Sequence, residues 1–301
     1  MTDLSAKPAS RLPRLFPAVL ITLGVLIPSM TYGQAAREFK DVVYANVGGK
    51  DLGLDVYLPA GVQSPPLLVW VHGGAWSSGT KAQAPMVFVA NGFALASIDF
   101  RQSTEAQFPA QVHDIKAAIR FLRGKAASYG YRTDRIAIGG SSSGGHLAAL
   151  VGVSNGHAEL EGTVGGYVKN SSAVQAILDY YGASNLTTIL AQSTPFGLNM
   201  RRPALERLLG AAPEQAAELA ALASPVMHVD RSDPPLHLLH GDQDPQMPIN
   251  QSHELEGAYK KLGLDVSFDV VYGAAHGGDR FLAGEYLNRA VAFLRRTLGT
   301  P

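Results

Sequence analysis

Short apolar runs that alternate with stretches of helical period limit what this chain can fold into. Residues 52–58 alternate in the manner of a half-buried strand, and 67–71, 93–98, 135–138, 174–178, 236–239 and 266–271 are brief runs bounded by Gly, Pro or polar residues. Between them, 109–127, 143–151, 246–262 and 279–298 carry apolar residues at helical spacing. Buried runs that take turns with helices predict an α/β fold: a mostly parallel central sheet with helices on both faces. Residues 152–170 are rich in Gly and polar side chains and read as an irregular loop. Residues 185–223 are helix-prone and too long for one simple crossover, so they read as a small helical cap. Ligands in open α/β sheets bind at the carboxyl ends of the strands, where a cap would shape the pocket.

The first 35 residues have a different character. Lys7, Arg11 and Arg14 precede an apolar stretch over 15–30 that holds Pro17 and Pro28, and small residues follow at Gly33 and Ala35. This layout predicts a cleaved signal peptide over 1–35, followed by a single domain over 36–301. The apolar stretch is shorter than the ~20 residues that span a bilayer, so no stable membrane anchor is expected after cleavage, and the mature chain is expected to be secreted or periplasmic. The chain has no Cys, which removes both disulfides and a lipid acceptor at the leader. Its formal net charge is zero, and it shows no basic stripe, so no nucleic-acid partner is expected.

The chemistry-bearing motifs stand at strand ends. Gly140-Ser141-Ser142-Ser143-Gly144 follows one strand and opens a helix, the context of a nucleophile elbow. Of its three serines only Ser142 has Gly both two before and two after. Cβ atoms at those flanking positions would meet neighbouring backbone. His72-Gly73-Gly74-Ala75-Trp76 follows the 67–71 strand, and a glycine pair there lets backbone N–H groups approach a developing oxyanion. Gly73 or Gly74 on one side and the N–H of Ser143 on the other are the expected donors. Trp76 is assigned to the substrate pocket, with simple packing as its competing reading. A serine hydroxyl needs a base, and His276, in the loop Gly273-Ala274-Ala275-His276-Gly277-Gly278 after the last strand, is late enough in the chain. His253 is also late but falls within a helix. The orienting acid belongs after the 236–239 strand, where the spacing leaves Asp242 and Asp244 both open. No His or carboxylate cluster has metal-ligand spacing, so neither a metal nor a cofactor is expected.

These motifs resemble the alpha/beta-hydrolase superfamily, and more narrowly esterases related to hormone-sensitive lipases and to bacterial feruloyl and acetylxylan esterases, the BD-FAE-like group. The resemblance rests on His72-Gly73-Gly74, Asp99-Phe100-Arg101, Phe108-Pro109-Ala110-Gln111 leading to Asp114, the elbow running into Gly144-Gly145-His146-Leu147, Ala223-Ser224-Pro225-Val226, and His240-Gly241-Asp242-Gln243-Asp244. In the H-G-x-x-D pattern the acid is the last residue, so the resemblance implies Asp244. Ser143 stands where relatives mostly carry Ala, and Ala75 where many carry a third Gly. Neither change removes a backbone donor.

The sequence therefore predicts a serine carboxylesterase with Ser142, Asp244 and His276 as its triad and short acyl groups on its substrates. The partner is a small-molecule or polysaccharide-linked ester. An acetylxylan or feruloyl esterase, a peptidase of the same fold and a non-catalytic binding protein are the alternatives. His72, His146 and His240 are expected to hydrogen-bond backbone, His113 and Asp114 to brace a helix against the sheet, and Asp99 and Arg101 to anchor loops.

Overall fold

A computed structural model describes residues 36–300, all within the compact unit Gly33–Pro301. The predicted leader over 1–35 lies outside the described residues. Along the chain the elements are β1 (Arg37–Val47), β2 (Lys50–Leu58), β3 (Leu67–Val71), α1 (Val87–Ala90), β4 (Ala94–Ile98), α2 (Ala110–Tyr129), β5 (Ile136–Ser141), α3 (Ser143–Val153), α4 (Ala158–Glu161) and β6 (Ala176–Tyr180). They continue as α5 (Ile189–Gln192), α6 (Pro195–Leu209), α7 (Ala217–Leu222), β7 (Leu236–Gly241), α8 (Asn250–Leu262), β8 (Val266–Val271) and α9 (Gly284–Leu298). One eight-stranded sheet results, in the order β1-β2-β4-β3-β5-β6-β7-β8. β1 and β2 run antiparallel to their neighbours, and from β4 to β8 all pairings are parallel.

Both faces of the sheet are covered, which is why its central strands read as unbroken apolar runs. Leu67, Val69 and Val71 of β3 join Ile136, Ile138 and Leu238 in one core layer with Ile115 and Ile119 of α2 and Leu147 and Leu150 of α3. The alternate residues Leu68 and Trp70 face the other way and pack with Phe88 of α1 and with Val291 and Leu294 of α9.

Several boundaries differ from the sequence expectations for identifiable reasons. The 279–298 stretch breaks at Ala283, whose extended backbone (φ −140°, ψ 165°) separates a short 3₁₀ turn, Asp279–Leu282, from α9. The 152–170 segment is not wholly irregular: α3 runs on to Val153, and α4 forms one turn within it. That turn is held by an ion cluster of two buried cations and a half-buried carboxylate. Glu161 accepts from Lys116 Nζ at 2.9 Å and from Arg120 Nη1 at 2.8 Å, and Ser172 Oγ donates to it at 2.7 Å. His113 braces the same turn by donating from Nε2 to the Glu159 carbonyl, which ties α2 to α4 rather than to the sheet. Asp114 anchors Arg101 through both carboxylate oxygens and accepts from its backbone N–H.

Lys116 and Arg120 are almost wholly buried, so removing their counter-ion leaves two cations stranded. Glu161→Ala is expected to lose roughly 3 kcal/mol in urea denaturation, because breaking a buried pair is far costlier than replacing it with apolar groups. Combining it with Lys116→Met and Arg120→Met should recover most of that loss. An additive triple variant would contradict the assignment.

Candidate active site

Three backbone segments meet at the carboxyl ends of β3, β5 and β6, and their spacing leaves no room for Cβ atoms. A Cβ on Gly140 would lie 2.7 Å from the Val71 carbonyl oxygen, and one on Gly144 would overlap that same oxygen. Between these glycines the chain turns from β5 into α3 through Ser142, which adopts φ 57° and ψ −122°. A serine in that region is strained by about 1–3 kcal/mol, which the surroundings must over-determine. They do so through Ser142 N–H donating to the Tyr180 carbonyl at 2.9 Å and His146 N–H donating to the Ser142 carbonyl at 3.0 Å.

Ser142 Oγ lies 2.7 Å from His276 Nε2, and His276 Nδ1 lies 2.6 Å from Asp244 Oδ2. With Nδ1–H donating to the carboxylate, Nε2 carries the lone pair that receives the Ser142 hydroxyl proton. The loop bearing His276 crosses the end of β7 closely enough that a Cβ on Gly241 would overlap the Ala274 carbonyl oxygen. Tyr181 meets the imidazole edge-on, at 4.9 Å between ring centroids, and Phe281 backs Tyr181 at 4.7 Å. Of the two acids left open by spacing, Asp244 meets His276. Asp242 instead accepts the Gly273 N–H at 2.6 Å and ties the acid loop to the histidine loop.

Both oxygens of the Asp244 carboxylate are engaged. Oδ1 accepts from the N–H groups of Gln246 (2.8 Å) and Met247 (2.9 Å), while Oδ2 faces His276 and, at 3.3 Å, His240 Nε2. Burial alone would raise its pKa, but the hydrogen bonds from His240 and His276 outweigh that and hold the group well below the usual carboxylate range. His240 is itself fixed by the Met247 carbonyl (3.0 Å) and by Ser252 Oγ (2.7 Å). The sequence placed His240 among backbone-bonding histidines. Its contact with the acid was not legible there.

Gly73 lies beside Ser142, since a Cβ placed on it would stand 3.4 Å from the Ser142 Cβ. Gly74 adopts φ 123°, and its carbonyl accepts from the N–H groups of Ser77 and Ser78 to close the following turn. The N–H groups of Gly73, Gly74 and Ser143 donate to no other group among the described residues, and Ser143 opens α3, at the positive end of the helix dipole. The added hydroxyl of Ser143 is buried without a partner.

Trp76 does not line the pocket. It is fully buried, with Nε1 donating to His146 Nδ1 at 3.0 Å while His146 Nε2 donates to the Ala223 carbonyl at 2.7 Å. Positive φ at Ala75 and Trp76 (52° and 60°) turns the indole inward, and nothing in the sequence reports that reversal. Next to the elbow, a cavity of about 310 Å³ is lined by Trp70, Gln83, Ser141, Tyr180, Tyr181 and Phe281. Neither this cavity nor a larger groove of about 800 Å³ between α4 and α7 is lined by a triad residue, but the smaller one is bounded by Ser141, next to the nucleophile, and by Tyr181, which meets His276. His253 is exposed on α8, away from the triad. Among the described residues no helix is long and apolar enough to cross a membrane.

Below the elbow, Asp179 is fully buried. One oxygen accepts the Gly182 N–H at 2.8 Å, and the other has no partner. Burial pushes its pKa up to about 7, with Gly182 and His240 offsetting part of the rise. Between the unfolded value of ~3.9 and that folded value the unfolded chain ionises while the folded chain keeps its proton, so stability falls as pH rises. Asp179→Asn removes this term. Its stability relative to the parent should therefore increase from pH 4 to pH 7, by up to about 4 kcal/mol, in urea denaturation at each pH. A difference independent of pH would show that the carboxyl is ionised throughout.

The geometry agrees with comparisons to known proteins. Residues 54–259 match the BD-FAE family. Esterase LipQ of Mycobacterium tuberculosis is 34% identical over 267 residues, covering 85% of this chain and 61% of that protein. The chain thus spans about three-fifths of that relative's length, and 53% of Esterase LipC from the same organism. Among solved structures, a truncated carbohydrate esterase from gut microbiota superposes with a TM-score of 0.78 at 30% identity, covering 88% of this chain and 99% of that one. The propionate-bound esterase Est2 of Thermogutta terrifontis superposes with a TM-score of 0.69 at 26% identity, over 91% and 97% of the two chains. Fold, site geometry and family match converge: the chain is a member of the BD-FAE family with the alpha/beta-hydrolase fold.

Proposed function

We propose that this protein is a serine carboxylesterase that works through an acyl-enzyme. The observation that carries the reading is the unbroken line from Ser142 Oγ through His276 to Asp244, with contacts of 2.7 and 2.6 Å. In the first step Ser142 Oγ bonds to the ester carbonyl carbon as its proton passes to His276 Nε2. The N–H groups of Gly73, Gly74 and Ser143 receive the oxyanion. The ester C–O bond then breaks, and the leaving alcohol takes the proton from Nε2. Water, deprotonated by the same nitrogen, attacks the acyl carbon, and Ser142 leaves with the proton. Asp244 keeps the Nδ1–H tautomer and stabilises the imidazolium without itself being protonated.

Relatives named as esterases support ester bonds as the target. The small cavity bounded by Ser141 and Tyr181, neighbours of the nucleophile and the base, favours short acyl groups. A polysaccharide-linked ester is the second reading, favoured by the likeness to a carbohydrate esterase over almost the whole of that chain. Residues 185–223, which carry α5 to α7, act in this reading as a cap that narrows access to the site. The leader over 1–35 directs secretion or periplasmic export, and the N-terminal sequence of protein recovered from an exporting host checks it: a start near residue 36 is expected, and an intact Met1 argues against cleavage.

A fluorophosphonate probe should label the parent at Ser142 and leave Ser142→Ala unlabelled. His276→Ala and Asp244→Asn should lower kcat on p-nitrophenyl acetate by about 10⁴-fold or more. Asp242→Asn should lower it far less. Retained activity in Asp244→Asn beside loss in Asp242→Asn would reassign the acid. A panel of p-nitrophenyl acyl esters beside methyl ferulate and acetylated xylan ranks the two substrate readings.

A further inference from the structure

The cavity beside the elbow has walls of different kinds. Trp70 and Tyr180 line it from β3 and β6, both buried in the core with their ring centroids 5.5 Å apart. Residues 82–85 line it from the loop after β3. That stretch is tethered at Lys81, whose Nζ pairs with Asp41 at 2.8 Å and with Asp55 at 2.6 Å, and whose backbone N–H donates to Asp99 at 2.6 Å. Core packing fixes the first wall and an ion cluster fixes the second. None of the residues that line the cavity is charged.

Tyr181 is a wall that also touches the catalytic machinery. Its ring lines the cavity, stands 4.9 Å from the His276 imidazole and is backed by Phe281 at 4.7 Å. Its hydroxyl reaches Gly277, where a Cβ would stand 3.2 Å from the oxygen. The backbone is strained to put the ring there. Tyr181 has φ 45°, a region that bulky residues rarely enter and that costs about 1–3 kcal/mol. Three hydrogen bonds hold the turn in that shape. The Tyr181 N–H donates to the Leu239 carbonyl at 2.7 Å, the Gly182 N–H donates to Asp179 at 2.8 Å, and the Tyr180 carbonyl receives the Ser142 N–H at 2.9 Å. The last of these ties the turn to the nucleophile itself. Burial raises the Tyr181 pKa, so the ring brings a neutral hydroxyl and no charge to the cavity.

We propose that Tyr181 is a specificity-determining residue whose ring sets the length of the acyl chain that the site accepts. The inference rests on the esterase reading above. Ser141 adjoins the nucleophile in the chain and Tyr181 packs on the base, so an acyl chain that leaves Ser142 for this cavity meets the Tyr181 ring on entry. The walls at Trp70, Tyr180 and 82–85 are fixed, and the limit on chain length is what the ring leaves open. The ligand class is a neutral acyl group, since the cavity offers no charged partner to a carboxylate or an amine. In an apolar pocket one methylene more or less changes selectivity by about 10–200-fold, so the volume of one ring is enough to separate an acetyl from a hexanoyl group.

The test is the ratio of kcat/KM for p-nitrophenyl hexanoate over p-nitrophenyl acetate. Tyr181→Ala should raise that ratio by about tenfold or more. Tyr181→Phe, which keeps the ring and loses the hydroxyl, should keep the ratio of the parent. Both esters meet the same triad, so a loss caused by a loosened His276 falls on both and cancels in the ratio. An unchanged ratio in Tyr181→Ala overturns the proposal, and so does a ratio in Tyr181→Phe that matches Tyr181→Ala, because the ring would then not be the determinant. If Tyr181→Ala does not fold, Tyr181→Leu decides on the same ratio, with a rise expected and no rise overturning. Turnover of p-nitrophenyl acetate and labelling by the fluorophosphonate probe test the esterase reading separately. If neither occurs, that reading fails and the proposal fails with it, whereas turnover with an unchanged ratio overturns the proposal alone.

Discussion

The site depends on how closely three backbone segments approach one another at the carboxyl ends of β3, β5 and β6. Gly140 and Gly144 let the elbow press against the Val71 carbonyl, and Gly145 and Gly182 leave room for the Asp179 carboxyl between α3 and the end of β6. Without that approach the chain could not turn through Ser142 at positive φ, and the serine would sit in the sheet or in the helix. Parallel pairing of β5 with β6 places the Tyr180 carbonyl where it receives the Ser142 N–H. The core layers thus position the nucleophile indirectly. They fix the strands, the strands fix the carbonyls, and the carbonyls hold a strained residue.

Much of this was legible in the sequence because glycine spacing reports close approach directly. The flanking glycines identified Ser142 among three serines, and the Gly-rich loop around His276 signalled a histidine free to reach across the sheet end. The buried strands were equally plain: 266–271 is β8, and 67–71 is β3. β1 went unread because its period of two is broken by irregularities between Phe39 and Val42 and between Val43 and Ala45, at a sheet edge where half its side chains meet solvent. α8 begins at Asn250 rather than at 246 because the N–H groups of Gln246 and Met247 serve the Asp244 carboxylate. A function of the site thereby shortens a helix that periodicity alone would extend.

What the sequence could not report is which way side chains face where the backbone reverses. Trp76 stands two residues after Gly74 and so reads as a neighbour of the substrate, yet positive φ at Ala75 and Trp76 sends the indole into the core to meet His146. Tyr181, also at positive φ (45°), turns toward His276, although it follows an ordinary buried strand. His240 occupies a familiar motif position, but its role emerges only once the Asp244 loop folds back over it. In each case the missing information is tertiary: a left-handed residue or a loop closure, neither of which has a periodic signature.

The electrostatics of the site follow from the same packing. Asp244 is ionised and shielded, held by the N–H groups of Gln246 and Met247 and by His276, so in the proposed reaction its field at His276 needs no reorganisation as the imidazolium forms. In the proposed reaction, the negative charge that develops on the substrate faces N–H groups left free by the 73–74 loop and by the first turn of α3. Positive and negative charge therefore appear at places already arranged for them, separated by the reacting bond.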